Sequence, residues 1–230
     1  MQTIAHRGAS GYAPENTVAA FDLALEMAAS GIETDVQVTR DGELVLFHDN
    51  LVDRTTNGCG PLADHTVEEL KQLDAGSWFA PEFAGQRIPT LAEFADAFFD
   101  RIPTCVEVKD PLAVEPLVSF LRDRSDLSRV QITSFSWSAL LRVRAALDVG
   151  TGFLCRTFNR DIIDRCLGRG IDQICPPVVG LDAELVEVAH DHGLTVRAWG
   201  VKSRDDVSRV VNSGADGATC NWPDWMIEHP

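Results

Sequence analysis

Val36-Gln37-Val38-Thr39-Arg40-Asp41-Gly42-Glu43-Leu44-Val45-Leu46 is the stretch on which the fold turns. Two β-prone runs flank Arg40-Asp41-Gly42, and Asp-Gly between such runs is a hairpin signal. Residues 43–47 should therefore run back antiparallel along the strand that starts near Gly31. With that return strand set aside, eight strand candidates remain, at 2–6, 31–38, 104–109, 130–134, 152–155, 171–175, 194–199 and 217–220. Helix candidates alternate with them at 16–30, 67–73, 91–99, 114–124, 138–147, 161–168, 183–192 and 205–212. Repeated βα units imply a parallel sheet. Eight of them in 230 residues point to an α/β fold closed as a (β/α)8 TIM barrel. No GxGxxG fingerprint supports an open dinucleotide-binding sheet.

Working outward, the first helix should bury Val18, Phe21, Leu25 and Ala28, which recur at helical spacing. Gly31, Gly150, Gly170, Gly193 and Gly214 follow helix candidates where a left-handed stop is expected. Residues 51–89 break the βα rhythm with loop chemistry such as Thr56-Asn57-Gly58 and one short helix. They read as an insertion beside the barrel mouth, within a single domain spanning 1–230.

Composition limits the function. The net charge of −15 argues against nucleic acid and against stable association with an anionic membrane. It also repels a phosphate substrate, so such a substrate would need a local positive site. The six cysteines form no CxxC pair and read as reduced, buried residues rather than a zinc site. No membrane-length apolar run and no leader-like N-terminus is seen, so a cytoplasmic location is expected. The oligomeric state, homo-oligomer included, is open.

The chemistry lies at strand ends. His6-Arg7 closes the first apolar run, and His48-Asp49 follows the hairpin's return. Glu33 and Asp35 are two apart, as are Glu107 and Lys109, so each pair points to one side of its strand, with Thr34 and Val108 on the other. In a barrel these strand ends form the active-site face. Three inward carboxylates must be paired, protonated or bound to metal. One reading is a structural ion network with Arg7 and Lys109. The other is a divalent cation on Glu33, Asp35 and Glu107, and hard oxygen donors without sulfur suit Mg2+ or Ca2+. Phosphodiester cleavage needs a base for the nucleophile and an acid for the leaving alkoxide. His6 and His48, one neutral and one protonated, would meet both needs. Arg7 and Lys109 would clamp the phosphate. Trp199 would wall the substrate or fill the barrel. Glu15 and Asn16 would stand behind the site, with Asn16 also capping the first helix. His65, His190, His192 and His229 read as ordinary packed or surface histidines.

In order, His6-Arg7-Gly8, Pro14-Glu15-Asn16-Thr17, Glu33-Thr34-Asp35-Val36, His48-Asp49, Glu107-Val108-Lys109, Ser134-Phe135 and Ala198-Trp199 run over nearly the whole chain. In this the chain resembles the glycerophosphodiester phosphodiesterase family, among the phospholipase C-like phosphodiesterase barrels. The resemblance implies a (β/α)8 barrel with a small insertion after the second strand. It implies one divalent cation, Mg2+ or Ca2+, on Glu33, Asp35 and Glu107, and acid–base work by His6 and His48. The implied reaction converts a small glycerophosphodiester to glycerol 3-phosphate and an alcohol; a lysophospholipid or another phosphodiester is the alternative substrate. Trp78, Phe79 and Phe83 are the aromatics that would serve a lipid. Two places depart from the family pattern. Gly200-Val201-Lys202 stands where Thr-Val-Asn is usual, and Thr219-Cys220-Asn221-Trp222-Pro223 where a Thr-Asp pair commonly precedes the proline. Both departures bear on substrate preference more than on catalysis.

Overall fold

The computed structural model describes residues 1–227, so His229 lies outside the described residues. The strands are β1 (Gln2–His6), β2 (Gly31–Val38), β3 (Leu44–Leu46), β4 (Thr104–Val108), β5 (Val130–Ser134), β6 (Gly150–Leu154), β7 (Gln173–Cys175), β8 (Thr195–Val201) and β9 (Gly217–Cys220). Eight of them are parallel in the order β1-β2-β4-β5-β6-β7-β8-β9, and β9 pairs with β1 to close the ring. β3 lies outside it, antiparallel to β2 with Val38 opposite Leu44. Gly42 takes a φ of 88° in the turn, a conformation that suits glycine. The hairpin and the closed (β/α)8 barrel are both as the sequence led us to expect.

The helices are α1 (Val18–Glu26), α2 (Val67–Gln72), α3 (Leu91–Phe98), α4 (Val114–Arg122), α5 (Trp137–Ala146), α6 (Arg160–Leu167), α7 (Ala183–Asp191), α8 (Arg204–Ser213) and α9 (Pro223–Ile227). Capping boxes start α2 (Thr66 with Glu69) and α3 (Thr90 with Glu93), each satisfying two otherwise orphaned backbone donors. The core lies between the helices and the outer face of the barrel. There Phe21 of α1 meets Phe94 and Phe98 of α3 edge to face.

Four local expectations fail. Asn16 does not cap α1; the Thr17 side chain accepts from the Ala20 N–H instead. α1 buries Ala20, Phe21 and Ala24, while Val18 and Ala28 are exposed. Small residues let the helix sit close on the barrel, and a pattern read from large side chains misses that face. Gly31 and Gly150 begin strands rather than ending helices. After α1 it is Ala28, at φ 56°, that turns left-handed, whereas Gly170, Gly193 and Gly214 have the expected positive φ. α9 was not foreseen; at five residues it is too short to show a period.

Residues 51–89 hold α2 and short single turns of 3-10 helix. Val52, Leu62, Leu70, Ala75 and Ile88 pack with Val45 and Phe47 into a second, smaller apolar cluster. The insertion is thus rooted on the hairpin strand and the segment that carries His48. No described helix is long and apolar enough to cross a membrane.

Candidate active site

Strand pairing brings the carboxylates together. His6 on β1 is level with Glu33 on β2, and Asp35 on β2 is level with Glu107 on β4. Alternation then sends Ile32 and Val36 into the helix-side core and Glu33 and Asp35 toward the barrel axis. Ligand oxygens of Glu33, Asp35 and Glu107 lie within 4.8 Å of one another, and all three residues are buried.

The ion pairs around them are incomplete. Lys109 Nζ lies 2.8 Å from Glu107 Oε1 and 3.2 Å from Asp35 Oδ1. Arg7 Nε is 3.1 Å from Asp35 Oδ2, and the Arg7 backbone N–H donates to Glu33 Oε2 at 3.1 Å. Yet two buried oxygens, Glu33 Oε1 and Asp35 Oδ1, accept no hydrogen bond. Burial would raise Asp35, but Arg7 and Lys109 outweigh it and hold the carboxyl at about 2. Burial and the neighbouring Asp35 push Glu107 up to about 7 against the pull of Lys109. Burial, Asp35 and Glu107 push Glu33 well above the usual carboxylate range. Two cations ion-paired with three carboxylates whose ligand oxygens lie within 4.8 Å of one another leave a deficit of positive charge. That donor set fits a hard divalent cation.

The loop after β1 is strained. Arg7 and Asn16 have φ of 56° and 55°, which costs non-glycine residues about 1–2 kcal/mol each. Their contacts hold them there. Asn16 Nδ2 donates to Asp35 Oδ2 at 3.0 Å, and Asn16 Oδ1 accepts from the Thr34 hydroxyl at 2.8 Å. Gly8 is required beside them, because a Cβ would come within 2.5 Å of the Ala20 backbone.

The two histidines face one cavity of about 250 Å3, lined also by Arg7, Glu33, Glu107, Lys109, Phe135 and Trp199. His6 Nδ1 donates to Asn221 Oδ1 at 2.6 Å, and His48 Nδ1 donates to Asp49 Oδ1 at 2.5 Å. In each ring Nε2 keeps the free lone pair. Burial, reinforced by Arg7, lowers His6 to about 4; burial also lowers His48. In the free site burial thus favours the neutral form of both rings. Trp199 stands at the wall, its ring edge-on to Phe135, and its indole N–H donates to the Cys155 carbonyl. Asp35, Glu15 and Asn16 do not line the cavity; they sit behind it.

The model of the glycerophosphoryl diester phosphodiesterase family matches residues 6–225. This chain belongs to that family. A glycerophosphodiester phosphodiesterase of Caldanaerobacter subterraneus is 38% identical over 231 residues, 97% of this chain and 95% of the relative. Among solved structures, an Oleispira antarctica phosphodiesterase in complex with the product sn-glycerol-3-phosphate superposes with a TM-score of 0.92. It shares 29% identity, covering 99% of this chain and 96% of that one. A glycerophosphodiester phosphodiesterase from Agrobacterium tumefaciens gives 0.84 at 28% identity, with 99% of each chain covered.

Within this glycerophosphodiester phosphodiesterase framework, four residues that the sequence did not single out for the site now stand beside it. Arg54, from the insertion, donates to Asp49 Oδ2 at 2.5 Å and to both oxygens of Glu15 at 2.7 and 2.8 Å. Glu15 also receives Arg7 at 2.8 Å. A chain of charges thus runs Arg7–Glu15–Arg54–Asp49–His48. Gln37 donates to the Phe47 and Asp49 carbonyls and so anchors the segment bearing His48. Asn221 orients His6. Arg197 is buried at the cavity floor, donating to Gln173 and Thr219. Five of the six cysteines are buried, as expected; Cys59 departs from that expectation and is exposed.

Proposed function

We propose that this chain hydrolyses glycerophosphodiesters to sn-glycerol 3-phosphate and an alcohol, with His6 as base and His48 as acid. The observation that carries the reading is the shared cavity, where two imidazoles face Glu33 and Glu107, with Asp35 of the same acidic group behind them. The Oleispira relative's bound product supports the same substrate class.

His6 Nε2 takes the proton of the attacking hydroxyl, the O–P bond forms, and the bond to the leaving alcohol breaks. His48 delivers a proton to the departing oxygen. His48 is neutral in the free site, and a bound phosphodiester anion favours its protonated form, as does Asp49. The glycerol 2-hydroxyl attacks first, giving a cyclic phosphate, and water then opens the ring with the histidine roles reversed. Arg7 and Lys109 hold the phosphate oxygens. A divalent cation on Glu33, Asp35 and Glu107, Mg2+ or Ca2+, would add Lewis-acid neutralisation of the phosphate charge. The chain acts as one barrel domain, with residues 51–89 as an insertion tied to the mouth through Arg54.

No observation favours the lysophospholipid alternative. Trp78, Phe79 and Phe83 pack edge to face on one another and do not line the cavity.

The test is glycerol 3-phosphate release from glycerophosphodiesters by chelator-stripped protein, before and after Mg2+, Ca2+ or Mn2+ is restored. Release that returns only with metal is expected. Folded protein that stays inactive with every ion would refute the assignment.

A further inference from the structure

The alcohol that leaves has its own surroundings, distinct from those of the phosphate. Beside the cavity a groove of about 510 Å3 opens, sharing His48, Glu107, Lys109, Phe135 and Trp199 with it and adding Ser134, Ser136 and Arg156. His6, Arg7, Glu33 and Asn221 line the cavity but not the groove. The base therefore belongs to the cavity alone, whereas the acid is shared with the groove. The leaving oxygen must sit beside its proton donor, so the leaving group extends from His48 into the groove.

Arg156 decides what that groove prefers. Its guanidinium carbon stands 4.9 Å from the centre of the Phe135 ring. Phe135 in turn is edge-on to Trp199, their centroids 5.6 Å apart. An aromatic wall of this kind would otherwise suit a quaternary ammonium, which seeks the face of a ring. Here a cation already stands over the ring face and repels a second. Arg156 forms no ion pair with any described residue. Lys109, the other cation of the groove, is already engaged by Asp35 and Glu107. Apart from its contact with the Phe135 ring, Arg156 is a positive charge with no carboxylate partner among the described residues, in a chain of net charge −15. Its fork of donors suits a carboxylate or phosphate.

We propose that the groove beside Arg156 is the leaving-group subsite, and that Arg156 selects alcohols bearing an anionic group over those bearing a quaternary ammonium. The inference rests on the phosphodiesterase reading, and on His48 as the acid.

The test compares kcat/KM for glycerophosphoinositol, its ring-phosphorylated form and glycerophosphocholine, in wild type and in Arg156→Met and Arg156→Glu. Arg156 is exposed, so its selectivity should be that of a solvent-screened ion pair, about threefold to fivefold for the phosphorylated substrate over its unphosphorylated match. Arg156→Met should erase that ratio, Arg156→Glu should invert it and also raise glycerophosphocholine relative to the phosphorylated substrate, and added salt should shrink the wild-type ratio. Turnover with a ratio unchanged by either substitution, or a wild type that prefers choline, overturns the subsite while leaving the phosphodiesterase reading intact. No release from any diester by folded, metal-supplied protein overturns both.

Discussion

Replacing Glu107 by Gln should stabilise the protein in one condition and disable it in another. Glu107 is buried beside Asp35, and its carboxyl is raised from about 4.5 to about 7. Between those two pH values the native state holds a proton that the unfolded chain gives up. Stability contributed by this group therefore falls as pH rises through that window, the reverse of an ordinary salt-bridged carboxylate. Fully developed at pH 8, the penalty is roughly 3 kcal/mol; at pH 5 it is less than about 1 kcal/mol. Glutamine keeps an oxygen for Lys109 Nζ, 2.8 Å away in the wild type, but carries no charge to repel Asp35. In chelator at pH 8, Glu107→Gln should melt roughly 5–10 °C above wild type, and at pH 5 the gap should nearly close. Excess Mg2+ or Ca2+ should reverse the order. A cation at 1,000 times its dissociation constant adds about 4.1 kcal/mol to the wild type, more than the penalty at pH 8, while the variant has lost a ligand. Thermal melts of both proteins, at both pH values, with chelator and with metal, read all of this. A variant that melts below wild type in chelator at pH 8, or gains as much from metal as wild type does, would refute the account of three underneutralised carboxylates.

Other expectations follow from the same geometry. His6→Ala and His48→Ala should each lower kcat by about 10²–10⁴ while circular dichroism stays unchanged; near-normal turnover by folded His6→Ala would remove it from the chemistry. Arg54→Met removes partly exposed bonds to Glu15 and Asp49, and should cost about 1–2 kcal/mol in denaturant unfolding. It should also lower kcat, because Asp49 and Glu15 then position His48 and Arg7 less firmly; a loss of stability with kinetics intact would make Arg54 purely structural. Asn16→Ala abandons two buried hydrogen bonds and keeps a strained φ, so a loss of about 2–4 kcal/mol is expected. Asn16→Gly should lose about 1 kcal/mol less, since glycine accepts that φ freely.

The barrel was legible because its signal is repeated and local. Each strand is a short apolar run, each helix has its own period, and Asp41-Gly42 marks the one strand that does not join the ring. The site was legible where strand alternation carries it: Glu33 with Asp35, Glu107 with Lys109, and His6 at the end of β1. What escaped depends on the approach of distant segments. Arg54 is an arginine in a loop until the fold brings Glu15 and Asp49 to it across 39 and 5 residues. Asn221 is a polar residue after a strand until His6 meets it. Thr17 and Asn16 are both good caps by type, and only the left-handed turn at Asn16, held by Asp35 and Thr34, decides which one serves. Arg197 lies between Val196 and Ala198, and only closure of the ring shows that its alternation points it inside.

The seam of the barrel lies between its first and last strands: β1 pairs with β9, and His6 reaches Asn221 across 215 residues. During synthesis, then, β1 emerges before the other barrel strands and must wait for β9 before its second neighbour exists. Seven strands can associate meanwhile as an open, curling sheet with two bare edges, the condition in which strand edges are exposed to other chains. Orientation of the His6 ring is postponed to that last event. A chain ended before Gly217 would keep its carboxylates and both imidazoles, yet lack both the closing strand and the group that aims one of them. The site is thus finished only when β9 pairs with β1, although the earlier strands can already bury much of their surface.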